Sequence, residues 1–198
     1  GFSFGGSLIL DYYHQLDDKK LVAGLIPLAP ALKLRSNLAW TLPGLAKLKF
    51  YKYYEHGKEI DHTRYLNLAT YSGHQVYRII KKLQKCPKLI TDKLFLATAS
   101  DDEVVTPKTI KNLFDSSHTK YKKLLVYRPG KNEEHDNIIF RNATYPNYNV
   151  ANFSHINMLF SLYNIHYGIN GDYPRHVITK GRHKRKKVVF GALNKETL

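Results

Sequence analysis

From Ser7 to Leu16 the apolar positions Leu8, Ile9, Tyr12, Tyr13 and Leu16 recur at mixed three- and four-residue spacing, which predicts a helix buried along one side. Asp17-Asp18-Lys19-Lys20 interrupts it with a polar turn. Leu21 to Ala29 is then almost wholly apolar and stops at Pro30, the pattern of a strand covered on both faces in a parallel sheet. The opening order is therefore turn, helix, strand.

Between Lys33 and about Asp61 the periodicity fails, and the segment becomes rich in Leu, Tyr and Lys, with Trp40 and a Pro43-Gly44 break. It reads as an insertion or cap. A helical pattern returns over Tyr65 to Lys85, clearest at Val76, Ile79, Ile80 and Leu83, and ends at Cys86-Pro87. Leu94 to Thr98 is the next buried strand. Thr106-Pro107 then offers an N-cap and a first-turn proline for a helix carrying Ile110, Leu113 and Phe114 on one side. Lys122 to Tyr127 is another strand, closed by Arg128-Pro129-Gly130. Strands alternating with helices at this spacing predict an α/β fold with right-handed crossovers and a mainly parallel sheet flanked by helices. No internal repeat is visible.

Composition narrows the function classes. The 198 residues are 43% hydrophobic and 24% charged, which suits one packed domain with its own core. The single cysteine, Cys86, allows no intramolecular disulfide and no multi-cysteine metal site; it slightly favours a reducing compartment such as the cytoplasm. No apolar run approaches the roughly 20 residues that cross a bilayer, because Leu21 to Leu34 is broken by Gly24, Pro27 and Pro30. The formal charge of +15 favours anionic partners, with a concentration of it in Gly181 to Lys187.

Candidate chemistry begins at the first residue. Gly1-Phe2-Ser3-Phe4-Gly5 fits G-x-S-x-G, where glycines flank a serine because a sharp strand-to-helix turn leaves no room for β-carbons. The turn exposes the Ser3 hydroxyl, and the Phe4 N–H at the helix start is placed to donate to a developing oxyanion. A serine needs a base to take its proton, and the base needs a carboxylate to orient it. Ser100-Asp101-Asp102-Glu103 follows a predicted strand and precedes a capped helix, so its carboxylates sit at a strand's carboxyl end, where sites form in this fold class. His155, in Asn152-Phe153-Ser154-His155-Ile156-Asn157-Met158, lies at a junction between a loop and an apolar helical run. His14 and His74 fall inside helices and read as structural. The order Ser, Asp, His is the one expected of α/β-hydrolases.

These segments also carry a resemblance. Gly-Phe-Ser-Phe-Gly-Gly, Leu-Phe-Leu-Ala-Thr-Ala-Ser-Asp-Asp-Glu-Val-Val-Thr-Pro and Asn-Phe-Ser-His-Ile-Asn-Met resemble the nucleophile, acid and histidine motifs of α/β-hydrolases. Within that superfamily they look most like bacterial serine esterases and lysophospholipase or monoacylglycerol-lipase relatives. The resemblance runs from Gly1 to about Leu162 and favours Asp102 over Asp101, since Val105 follows Asp102 by three positions. It implies a serine hydrolase acting on a carboxylic ester, lipid or acylglycerol, with Ser3, Asp102 and His155 as the catalytic set and Phe4 as an oxyanion donor. It also implies a cap that shapes an acyl pocket, for which Trp40, Leu42, Leu45, Leu48 and Tyr51 are the candidate lining.

The resulting division is 1–32 for the nucleophile turn, helix and following strand, 33–85 for the cap and return helix, 86–165 for the acid and histidine motifs, and 166–198 for a basic tail outside the pattern. The turn at Gly1 lacks the preceding strand and the second oxyanion donor that the resemblance implies, so the expectation is a chain whose upstream segment is missing.

Neither a P-loop nor a dinucleotide fingerprint, H-E-x-x-H motif or EF-hand loop is present. Asp61-His62 and Glu134-His135-Asp136 read as solvated loops, and no metal or cofactor is expected. The expected partner is a small ester or lipid, with no nucleic acid; the basic charge is compatible with weak association with anionic surfaces, and oligomeric state has no signal. Two rival readings stand: a binder of nucleic acid or anionic surfaces, and a hydrolase-fold protein that binds without catalysing.

Overall fold

A computed structural model describes residues 1–36, 39–47, 53–55, 68–86, 88–144, 150–156, 175–180 and 186–191. Helix α1 spans Phe4–Gln15, starting three residues before the expected limit and ending one residue before it. Its buried face differs from the expected one. Gly6, Ser7, Leu10, Asp11 and Tyr13 face inward, whereas Leu8 and Tyr12 are exposed. The close approach decides this: Ser7 Oγ donates to the Ala31 carbonyl at 2.9 Å, and a β-carbon on Gly6 would lie 3.1 Å from Pro30 Cβ.

Residues 25–29 lie in the sheet but do not form the continuous, doubly covered strand expected there. Leu25 N–H donates to Lys93, Ala29 N–H to Ala97, and on the other edge Leu28 N–H donates to Gly1 and Ser3 N–H to Leu28. Pro27 has the parity of Leu25 and Ala29 yet no N–H to give, so the ladder breaks into isolated parallel bridges. Leu25 and Ala29 are buried in the core whereas Leu21 and Ile26 are exposed, so the run is buried in part and not covered throughout.

After the short helix α2, Leu42–Leu45, a two-stranded antiparallel ladder of β1, Tyr53–Glu55, and β2, Leu68–Ala69, leads into α3, Thr70–Leu83. The principal sheet follows. Strand β3, Ile90–Ala99, pairs in parallel with β4, His118–Arg128, across helix α4, Pro107–Ser116. Strand β6, Ile138–Asn142, pairs in parallel with β4, and β5, Glu133–His135, closes the edge antiparallel to β6. The order is β3-β4-β6-β5, extended on the β3 side by residues 25–28 and then Phe2.

Leu94, Leu96 and Leu124 from one face of this sheet meet Leu10 and Tyr13 of α1, Ile80 of α3 and Ile110 and Phe114 of α4 in one core. Asp11 and Lys82, 2.8 Å apart, tie α1 to α3. Thr106 occupies the N-cap position of α4 without a side-chain capping bond; Pro107 starts the helix, and Thr109 Oγ1 donates back to the Thr106 carbonyl.

A second sheet joins β7, Val150–Phe153, to β8, Arg175–Lys180, and β9, Lys186–Gly191, all antiparallel. The stretch read as a basic tail thus supplies two strands, which its density of Lys and Arg concealed. The ring of Phe153 packs on Tyr127, with centroids 5.1 Å apart, and joins this sheet to β4. Among the described residues no helix is long and apolar enough to cross a membrane.

Candidate active site

Ser3 sits between a strand-like segment and α1 with φ 51° and ψ −121°, a conformation that non-glycine residues rarely adopt. Hydrogen bonds on both sides hold it there. Its N–H donates to Leu28 at 2.8 Å, and its carbonyl accepts from Ser7 N–H at 3.2 Å and Ala31 N–H at 3.1 Å. The two motif glycines are not equivalent. A β-carbon on Gly1 would fall 2.5 Å from the Gly5 carbonyl oxygen, whereas one on Gly5 would meet nothing within 4 Å. The crowding expected at both positions holds for Gly1 alone, and Gly6 is the second tight position.

Asp102 lies in the loop after β3. Its Oδ1 accepts the N–H groups of Val104 at 2.9 Å and Val105 at 2.8 Å, and Oδ2 lies 2.7 Å from Nδ1 of His155. The carboxylate is fully buried, and every one of these contacts compensates its lost hydration. The loop is also pinned to the segment before α2, since Arg35 N–H donates to Val104 and Thr106 N–H to Lys33. Neighbouring Asp101 is half-buried, and the partner of the His155 ring is Asp102.

His155 occupies a turn immediately after β7, and the helical run expected beyond it lies outside the described residues. Its Nε2 is 2.8 Å from Ser3 Oγ. A carboxylate can only accept, so Nδ1 donates to Asp102, and in the neutral ring Nε2 is then the acceptor for the Ser3 hydroxyl proton. The residue is 4% exposed, and the Phe2 ring packs on the imidazole at a centroid distance of 4.9 Å. Phe4 is the first residue of α1, so its N–H has no acceptor within the helix and stands at the positive end of the helix dipole.

Two contacts escaped sequence reasoning. The Phe2 ring over His155 and the bond from His155 N–H to Glu103 Oε2, 3.0 Å long, join residues far apart in the chain and leave no periodic signal.

The candidate pocket residues are dispersed. Trp40 is 69% exposed, Leu45 is half-buried, and Leu42 is buried with its methyl groups against Gly73 of α3. Leu48 and Tyr51 lie outside the described residues, as do Asp61 and His62. Glu134 pairs with Lys123 across β5 and β4, and that partner holds its carboxyl below the ordinary range. Among the described residues no group of three or more His, Cys, Asp or Glu gathers at metal-binding distance.

Solved structures share this arrangement of elements. A soluble variant of monoglyceride lipase from Saccharomyces cerevisiae, in complex with a substrate analog, superposes with a TM-score of 0.53 at 19% identity, over 64% of this chain and 51% of that one. Paleococcus ferrophilus monoacylglycerol lipase superposes with a TM-score of 0.54 at 16% identity, over 72% of this chain and 59% of that one. The chain has the α/β-hydrolase fold. This α/β-hydrolase-fold chain spans between half and three fifths of the length of those two structures. No protein-family model matches the sequence, and no curated protein matches it.

Proposed function

We propose that this chain carries the catalytic set of a serine hydrolase that cleaves carboxylic esters through an acyl-serine intermediate. One observation carries the reading: an unbroken relay from Ser3 Oγ through His155 to the buried carboxylate of Asp102, with links of 2.8 and 2.7 Å. Nucleophile and base already stand at hydrogen-bonding distance, which is the geometry acyl transfer requires.

In the first half-reaction His155 Nε2 takes the Ser3 proton as Oγ attacks the ester carbonyl carbon. The tetrahedral oxyanion accepts from the Phe4 N–H, while Asp102 stabilises the imidazolium and keeps its orientation. His155 then protonates the departing alkoxide. In the second half-reaction it takes a proton from water, which attacks the acyl-serine, and then returns that proton to Ser3 Oγ as the acid leaves. The two similar structures are those of a monoglyceride lipase and a monoacylglycerol lipase, so a monoacylglycerol is the first natural ester to assay. Trp40 and Leu45 are the proposed contacts for its acyl chain.

The test is labelling of the full protein with a fluorophosphonate, alongside hydrolysis of a p-nitrophenyl ester and a monoacylglycerol. Labelling at Ser3, with both reactions lost in Ser3→Ala, is the expected result. Full ester turnover by Ser3→Ala would refute the mechanism, and a wild-type protein that neither labels nor hydrolyses would favour the non-catalytic reading.

A further inference from the structure

We infer that Glu103 is a positioning residue for the His155 base, acting on its backbone while Asp102 acts on its ring; this rests on the serine-hydrolase reading above. His155 N–H donates to Glu103 Oε2 at 3.0 Å, and Nδ1 of the same residue donates to Asp102 Oδ2 at 2.7 Å. Two successive residues of the loop after β3 therefore grip one residue of the turn after β7 at two points, across 52 and 53 positions of sequence.

The two grips do different work. Asp102 determines which way the imidazole points, but a single bond to Nδ1 leaves the ring free to pivot about that contact, carrying Nε2 toward or away from Ser3. The position of Nε2 also depends on where the Cα of His155 stands, and His155 follows β7, a strand of a different sheet from β3, which precedes the acid loop. A carboxylate on the His155 amide fixes that Cα relative to Asp102. The ring then has both its root and its Nδ1 held by the same loop, and the Phe2 ring limits its tilt. The loop is a sound anchor because Asp102 Oδ1 holds the N–H groups of Val104 and Val105, closing it tightly around Glu103.

The bond needs reach and an acceptor oxygen and does not need the negative charge. Glu103→Gln keeps both. Glu103→Asp keeps the charge but is one methylene short, and Glu103→Ala removes the acceptor, leaving the amide of a 4% exposed residue without it.

The experiment measures, in the full protein, kcat and KM for a p-nitrophenyl ester, the rate of fluorophosphonate labelling at Ser3, and the thermal midpoint. Glu103→Ala and Glu103→Asp are expected to lower kcat and the labelling rate together by about tenfold or more with KM nearly unchanged, since a misplacement near 1 Å can cost about 10²-fold. Glu103→Gln is expected to recover most of both. A merely structural role would move the thermal midpoint and leave kcat and labelling of the folded protein intact. Wild-type kcat and labelling in Glu103→Ala, with both abolished in Ser3→Ala, would overturn this inference and leave the hydrolase reading standing. Activity kept by Glu103→Asp and lost by Glu103→Gln would also overturn it, because charge would then be what acts. Turnover retained in Ser3→Ala would overturn the hydrolase reading and this inference with it.

Discussion

Nδ1 of His155 lies 2.7 Å from Oδ2 of Asp102, although 53 positions separate them and each arrives from a different sheet. Asp102 is fully buried and satisfied by backbone N–H groups on its other oxygen, so its geometry survives replacement by the isosteric amide. Asp102→Asn should keep the fold and lower kcat for an activated ester by up to about 10⁴, through loss of the productive imidazole tautomer. Asp101→Asn, altering a half-buried neighbour that is not the ring's partner, should cost far less. Steady-state kinetics of the two variants decide between the adjacent acids; equal losses would contradict the assignment of Asp102.

The asymmetry of the glycines around Ser3 is open to measurement. Gly1→Ala should be strongly destabilising, because its β-carbon would collide with the Gly5 carbonyl at 2.5 Å. Gly5→Ala meets open space in the first turn of α1 and should leave stability unchanged or slightly raised. Urea denaturation of both variants of the full protein tests this, and a destabilised Gly5→Ala would be the contrary result.

Trp40 and Leu42 are two positions apart but sit in opposite environments. Leu42→Ala removes a buried side chain from the contact with α3 and should cost about 2–5 kcal/mol of stability. Trp40→Ala should leave the thermal midpoint nearly unchanged and raise KM for long-chain p-nitrophenyl esters more than for short ones. An unaltered chain-length ranking would remove Trp40 from the acyl site.

Burial lowers the pKa of His14 from the ordinary 6.5, with Lys19 and Lys82 adding to the effect and Asp11 opposing it. The folded protein thus binds fewer protons at this site than the unfolded chain. The stability supplied by neutral His14 is fully present above pH 6.5 and declines as pH falls below that value toward the folded pKa. His14→Gln should flatten the fall of the urea midpoint on acidification through this window. A steeper fall in the variant would count against it.

Local chemistry made several elements legible from the sequence alone. The apolar run around Leu94 to Thr98, the proline start of α4 and the spacing of Ile110 and Phe114 each express a rule acting within a few residues, and the corresponding elements stand in the fold. The pentapeptide around Ser3 likewise announced a tight turn, and the structure holds Ser3 at φ 51°. Tertiary structure decided the rest. Which side of α1 faces inward followed from a close approach at Gly6 and Ser7 to Pro30 and Ala31, and hydrophobic spacing pointed elsewhere. Pro27 broke a ladder whose apolar residues read as unbroken, because what mattered was which neighbour needed its missing N–H. Strands β8 and β9 pair with each other, and β8 with β7, but the Lys and Arg around their short apolar centres hid them in the sequence. Nor could the hold of Glu103 on His155, a bond between backbone and side chain spanning 52 positions, which comes into being only when two sheets have been brought together.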